Sequence, residues 1–284
     1  MASPGGAGPP RSRSRPPGAQ DGELAQQPGA RDGEAGWRAG ARAPARPSAR
    51  RRLKFAAYQG LRLSVNTLLR ALAGFRVSGW RNMPRSGPVL VVSNHLHNFD
   101  PIVLSAAVPR PVFYMAKREL FANARFGWLI RNLGAFPVDR GAPDRAALRQ
   151  ALALLDEGLV VGFFPEGTRS LTGALGEAHP GVALVAVRSG VPILPVAITG
   201  TEALPLDAKA AGRAHRGRPR VRVTVGAPFR LPPRPPGEKQ DLAAATERIM
   251  REIAALLPPA YRGSYGDEPA GRGARGEGRG PKGG

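Results

Sequence analysis

Three short runs, Val89-Leu90-Val91-Val92, Leu159–Phe164 and Ile193–Ile198, contain no charged or hydrogen-bonding side chain. Side chains alternate from one face of a strand to the other, so a strand apolar at every position must be covered on both faces. A sheet with helices on both sides provides that cover. Helical patterns occupy the intervals. A helix opens at Pro101, where proline suits the first helical position, and others span Phe126–Leu133, Arg145–Leu155 (closed by Gly158), Gly181–Arg188 and Leu242–Leu257. Val112–Met115, Ala135–Val138 and Val221–Val225 read as further strands. Strands that alternate with helices predict an α/β fold with a mixed, largely parallel sheet flanked by helices.

Composition sets the limits of this domain. Residues 1–50 are dominated by Gly, Pro, Ala, Ser and Arg, and 258–284 are again polar and Gly-rich. Neither segment holds enough apolar surface to offset its ordering entropy, so both are expected to be disordered tails. A single folded domain is expected over 51–257. Within it, Tyr58, Leu61, Val65, Leu68, Leu72 and Phe75 recur in steps of three and four, with Arg62, Asn66 and Arg70 on another face. This is an amphipathic helix over Leu53–Phe75, which packs on the core or lies in a bilayer interface with its arginines at headgroup level.

Net charge is +21, and more than half of it lies between the two tails. So basic a surface implies a polyanionic partner. The chain has only 3 Trp, 4 Tyr and 10 Phe, mostly inside apolar runs. That leaves few stacking platforms for single-stranded nucleic acid, and an anionic membrane surface is the better expectation. The chain has no cysteine, which excludes disulfides, thiolate metal sites and a covalent cysteine intermediate. No apolar stretch reaches the length of a spanning helix, and the N-terminus lacks the apolar core of a secretory signal. A peripheral position on the cytoplasmic face of the cell membrane follows as an expectation.

Two segments carry the chemistry. In Ser93-Asn94-His95-Leu96-His97-Asn98-Phe99-Asp100-Pro101, His95 follows a strand and Asp100 precedes a helix. Asp100 is expected to cap that helix. From there its carboxylate can accept from one imidazole nitrogen, leaving the other to take a proton from an alcohol. His97 opens a rival reading, a metal-dependent hydrolase built on His95, His97 and Asp100. In Phe164-Pro165-Glu166-Gly167-Thr168-Arg169-Ser170 a glycine turn follows a second buried strand. Arg169 offers a bidentate grip on phosphate, Gly167 permits close backbone approach, and Glu166 is placed to accept from hydroxyls. A solvated turn with an ion pair is the ordinary alternative. Lys117 and Arg140 also follow predicted strands.

These segments, in this order and with Lys117–Phe121, Phe136–Arg140 and Val191–Val196 between and after them, resemble the 1-acylglycerol-3-phosphate acyltransferase family of glycerolipid acyltransferases. The resemblance covers roughly Ser78 to Leu231. It implies transfer of an acyl chain from acyl-CoA or an acyl-carrier protein to the sn-2 hydroxyl of a lysophospholipid, with no cofactor and no metal. It implies His95 as base and Asp100 as its orienter. It implies that Glu166, Gly167, Thr168 and Arg169 hold the phosphorylated acceptor, with Arg140 and Lys117 as helpers, and it links Val191–Val196 to the acyl-donor side. His97, Ala124-Arg125 and His179 stand where the family more often has serine, proline and lysine, and relatives with the same chemistry acylate other lysolipids.

Overall fold

The computed structural model describes residues 49–132, 134–138, 145–204, 219–232 and 241–266. Among the described residues seven strands form one sheet: β1 (Arg76–Ser78), β2 (Val89–Ser93), β3 (Val112–Lys117), β4 (Ala135–Val138), β5 (Val160–Phe163), β6 (Ile193–Thr199) and β7 (Arg222–Val225). Their order is β1-β7-β6-β2-β5-β3-β4. Only the β6–β7 pair is antiparallel. The sheet is therefore mixed and largely parallel, as the apolar runs require. The edge strand β1 is too short to leave a periodic signal in the sequence.

Six α-helices among the described residues accompany the sheet: α1 (Ala49–Ala73), α2 (Asp100–Ala107), α3 (Ala124–Asn132), α4 (Arg145–Asp156), α5 (Gly181–Ser189) and α6 (Leu242–Leu256). Alternate residues of the central strand β2 enter opposite cores. Val89 and Val91 join Val103, Leu104, Leu194 and Ile198, whereas Leu90 and Val92 join Leu155, Val182, Ile193 and Ile249. All five β2 residues are buried. Each fully buried Val or Leu contributes on the order of 1.5–3 kcal/mol, which makes this strand the anchor of the fold. The Val191–Val196 block lies mostly in β6, where it too is core.

The α1 stripe divides. Tyr58, Leu61 and Val65 pack with Ile102 of α2, and Phe75 is buried, but Leu68 and Leu72 are 56% and 65% exposed. The polar face is also partly internal. Gln59 Nε2 donates to Pro109 O at 2.7 Å and Asn66 Nδ2 to Ala106 O at 3.1 Å, and Arg62 also reaches Ala106 O. These side chains satisfy carbonyls at the end of α2 that have no helical partner. Arg62 and Asn66, which periodicity sets on another face from the apolar stripe, therefore serve a helix junction.

One boundary differs from expectation. Residues 258–266, assigned by composition to the C-terminal tail, continue the fold as two 3-10 turns, Pro259–Tyr261 and Gly263–Tyr265. Tyr261 and Tyr265 pack against the second core, which supplies the apolar contact that composition alone conceals. Both ends of the chain assigned to tails, 1–48 and 267–284, lie outside the described residues.

Register brings the functional loops together. Val92 pairs with Phe163 and Ser93 with Val196, so β2 and β5 end within a residue of each other while β6 runs on to Thr199 beside the loop that follows β2. The loops that leave these carboxyl ends emerge side by side, at the edge where open α/β sheets place their chemistry.

Candidate active site

His95 Nδ1 lies 2.8 Å from Asp100 Oδ2. The same oxygen accepts from the backbone N–H of Leu96 and of His97, each at 2.6 Å. Asp100 therefore does not cap α2. The capping position falls to Phe99, with no side-chain cap, and Asp100 turns its carboxylate back into the preceding loop. Energies explain the choice. A cap is worth about 1 kcal/mol, whereas each hydrogen bond to a charged acceptor is worth about 1.5–3 kcal/mol. Because a carboxylate only accepts, the imidazole proton sits on Nδ1, and Nε2 is the basic nitrogen.

The His95 ring stacks on Phe164, with centroids 4.4 Å apart, and Tyr114 stacks beyond Phe164 at 6.3 Å. Gly162 makes room for that ladder, since a Cβ there would meet Tyr114 Cε1 at 2.4 Å. Asn94 staples the same loop to β6: its Nδ2 donates to Ile198 O and its Oδ1 accepts from Ile198 N, both at 2.8 Å.

Glu166 is placed differently from expectation. It is buried, and it bridges two segments of backbone. Oε1 accepts from His95 N at 3.0 Å and Oε2 from Gly176 N at 2.9 Å. Ser170 N completes the link with a 2.7 Å bond to His95 O. Glu166 is thus a brace between the two motif loops, not an open acceptor for hydroxyls. Burial pushes its carboxyl up, while the two backbone donors and His95 draw it back.

Gly167 has φ +66°, and a Cβ would meet His179 Cδ2 at 2.7 Å. The positive φ favours glycine here, and any Cβ would also have to displace the His179 ring. Thr168 is exposed and Arg169 half-buried. His97 is fully buried. Its Nδ1 accepts from Phe99 N at 3.2 Å and its ring stacks on Phe99. Burial lowers its pKa from 6.5; Asp100 opposes this, and the charges of Arg169 and His95 reinforce it. Among the described residues no group of three or more His, Cys, Asp or Glu is placed to hold a metal ion. Lys117 ends β3, on the far side of β5 from His95's strand. Arg140 lies outside the described residues.

Beside the His95 loop a small apolar cleft is lined by Asn98, Pro101, Ile102, Tyr114, Leu120 and Ile130, among others. Sequence reasoning did not anticipate it, because its walls come from α2, β3, α3 and β4. Asn94 and Phe164 were also missed. Both stand inside the quoted motifs, and only their partners reveal what they do.

Comparison with known proteins gives consistent matches. A family model described as Acyltransferase matches residues 74–199. The chain is 28% identical over 200 residues to the 1-acyl-sn-glycerol-3-phosphate acyltransferase of Bacillus subtilis (strain 168), covering 68% of this chain and 93% of that protein. It is 30% identical over 227 residues to the protein of the same name from Pseudomonas aeruginosa, covering 78% and 85%. The crystal structure of the 1-acyl-sn-glycerophosphate (LPA) acyltransferase PlsC from Thermotoga maritima matches with a TM-score of 0.53 at 25% identity, over 74% of this chain and 84% of that one.

Proposed function

The chain belongs to the 1-acyl-sn-glycerol-3-phosphate acyltransferase family of O-acyltransferases, and from that premise we propose that it transfers a fatty acyl chain from an acyl thioester to the sn-2 hydroxyl of 1-acylglycerol-3-phosphate, giving phosphatidic acid. The observation that carries this reading is the 2.8 Å contact between His95 Nδ1 and Asp100 Oδ2, which reserves Nε2 for the substrate. Nε2 takes the proton of the sn-2 hydroxyl as its oxygen attacks the thioester carbonyl. The tetrahedral intermediate collapses with cleavage of the C–S bond, and the imidazolium returns the proton to the leaving thiolate. The acyl group passes directly to the acceptor, with no acyl-enzyme stage.

Arg169, on the turn after β5, suits the acceptor phosphate as a charged, bidentate donor. Gly167 lets the backbone come close to it, and Thr168 adds an exposed hydroxyl beside it. Lys117 and Arg140 are assigned as helpers in charge neutralisation. The apolar lining of the cleft at Ile102, Tyr114 and Ile130 suits contact with a hydrocarbon chain. Acyl-CoA or acyl-carrier protein is the donor. No helix among the described residues is long and apolar enough to cross a membrane. In this reading the lipid acceptor is reached from an anionic membrane surface, with the enzyme peripheral on the cytoplasmic face and the exposed flank of α1 as its contact.

His95→Ala and Asp100→Asn test the base. Both variants should keep the parent's circular dichroism and lose about 10²–10⁴ in kcat. Near-parental turnover by His95→Ala would sink the mechanism. Assay against a panel of lysolipids, each offered with both thioester carriers, decides the acceptor and the donor.

A further inference from the structure

The hydrogen bonds around His95 close into a ring that runs well outside the motifs. His95 N donates to Glu166 Oε1 at 3.0 Å, and Gly176 N to Glu166 Oε2 at 2.9 Å. The neighbouring Leu175 N donates to Tyr261 O at 2.9 Å. The Tyr261 hydroxyl donates to Glu202 Oε1 at 2.6 Å. Glu202 stands in the 3-10 turn Thr201–Ala203 that follows β6, and β6 carries Ile198, to which both ends of the Asn94 amide are bonded. Asn94 is the residue before His95, and the circuit is complete.

Its weakest stretch is the connection between β5 and α5, where Leu175 and Gly176 belong to no helix or strand. The C-terminal turns hold that stretch in place. A Cβ on Gly263 would fall 2.2 Å from Leu175 O, so the two backbones lie in direct contact. Arg262 Nε donates to Leu257 O at 2.8 Å and ties the turns to the end of α6. Glu202 is 8% exposed, and its Oε2 has no hydrogen-bond partner among the described residues. A carboxylate buried on one hydrogen bond is held by that bond, and removing it leaves the group unsatisfied at considerable cost.

We infer that Tyr261 is a positioning residue: its hydroxyl, bonded to Glu202, fixes the C-terminal turn against which Leu175 and Gly176 are held, and so sets Glu166 and the backbone of His95. The inference rests on the reading of His95 as the base.

The test compares full-length Tyr261→Phe, Glu202→Gln and Glu202→Leu with the parent. Phenylalanine keeps the packed ring and the backbone bond but loses the hydroxyl. Glutamine keeps an acceptor oxygen; leucine does not. The first readout is the proton NMR signal of the His95 imidazole N–H that faces Asp100, recorded on resting enzyme and assigned by its loss in His95→Gln. It should shift or broaden in Tyr261→Phe and Glu202→Leu and return to the parental position in Glu202→Gln. The second readout is kinetic. Misplacement of a base should lower kcat by roughly 10- to 100-fold while KM for both substrates stays within about twofold of the parent. An unmoved signal with parental kcat in Tyr261→Phe would overturn the inference. So would equal damage from Glu202→Gln and Glu202→Leu, because charge and not the hydrogen bond would then be what matters. Should Tyr261→Phe not fold, the two Glu202 variants decide alone by the same comparison. The resting-state signal needs no turnover, so an active His95→Ala would defeat the base mechanism while the signal still judged the Tyr261 contact.

Discussion

Asp100 and Glu166 show how one carboxylate type serves two purposes in one site. Asp100 accepts from three donors through a single oxygen and holds the imidazole. Glu166 uses both oxygens on backbone N–H groups and holds the loops. Arg169 is the residue to which the proposed function assigns the acceptor phosphate. Lysine at that position keeps the charge and loses the bidentate fork, so Arg169→Lys should raise KM for the acceptor several-fold more than KM for the thioester, read from initial rates with each substrate varied. Equal changes in both would argue against a phosphate contact. His97 yields a stability prediction. Burial holds its folded pKa below the unfolded value of 6.5, so below that pH the unfolded chain binds more protons than the folded one. Stability contributed by neutral His97 is present above the unfolded value and is lost as pH falls through 6.5 towards the folded pKa. Thermal melts at pH 7.5 and 5.5 should show a smaller drop in Tm for His97→Gln than for the parent. A drop of equal size would assign the acid sensitivity to another group.

At the scale of elements, α1 packs one set of apolar side chains and exposes another. Its inner residues Tyr58, Leu61 and Val65 pack with Ile102. Phe55, Leu63, Leu68 and Leu72 are exposed, at 49%, 56%, 56% and 65%. Apolar exposure on a basic helix is the pattern of an interfacial contact. The Leu63, Leu68 and Leu72→Ser variant is therefore expected to leave anionic vesicles on sedimentation while its circular dichroism and Tm stay close to the parent's. Leu61 and Val65→Ser should instead lower Tm, because those side chains leave a packed site. Unchanged vesicle binding by the folded triple variant would remove α1 from the membrane role. The loops after β2, β5 and β6 were each legible as strand ends. Their mutual approach was not, since it depends on register between strands separated by whole βα units.

The whole molecule carries +21, and charge of that size acts over the Debye length, roughly 8 Å at physiological ionic strength. Binding to anionic vesicles is expected to fall steeply between low salt and about 0.5 M salt and to be weak on neutral vesicles at any salt, measured by co-sedimentation. Salt-independent binding would point to apolar insertion alone. The amino-acid sequence by itself determined the pattern of buried strands and intervening helices, because burial on both faces is written in consecutive apolar residues. It also determined that His95 and Asp100 lie close enough to meet, because five positions separate them along one loop. Tertiary structure decided the rest. The Glu166 brace joins residues 71 positions apart, and the Tyr261–Glu202 bond joins residues 59 apart. Whether a carboxylate meets substrate or backbone depends on which loops the sheet sets side by side. That choice follows from the packing of two cores around β2 and leaves no local signal in the chain.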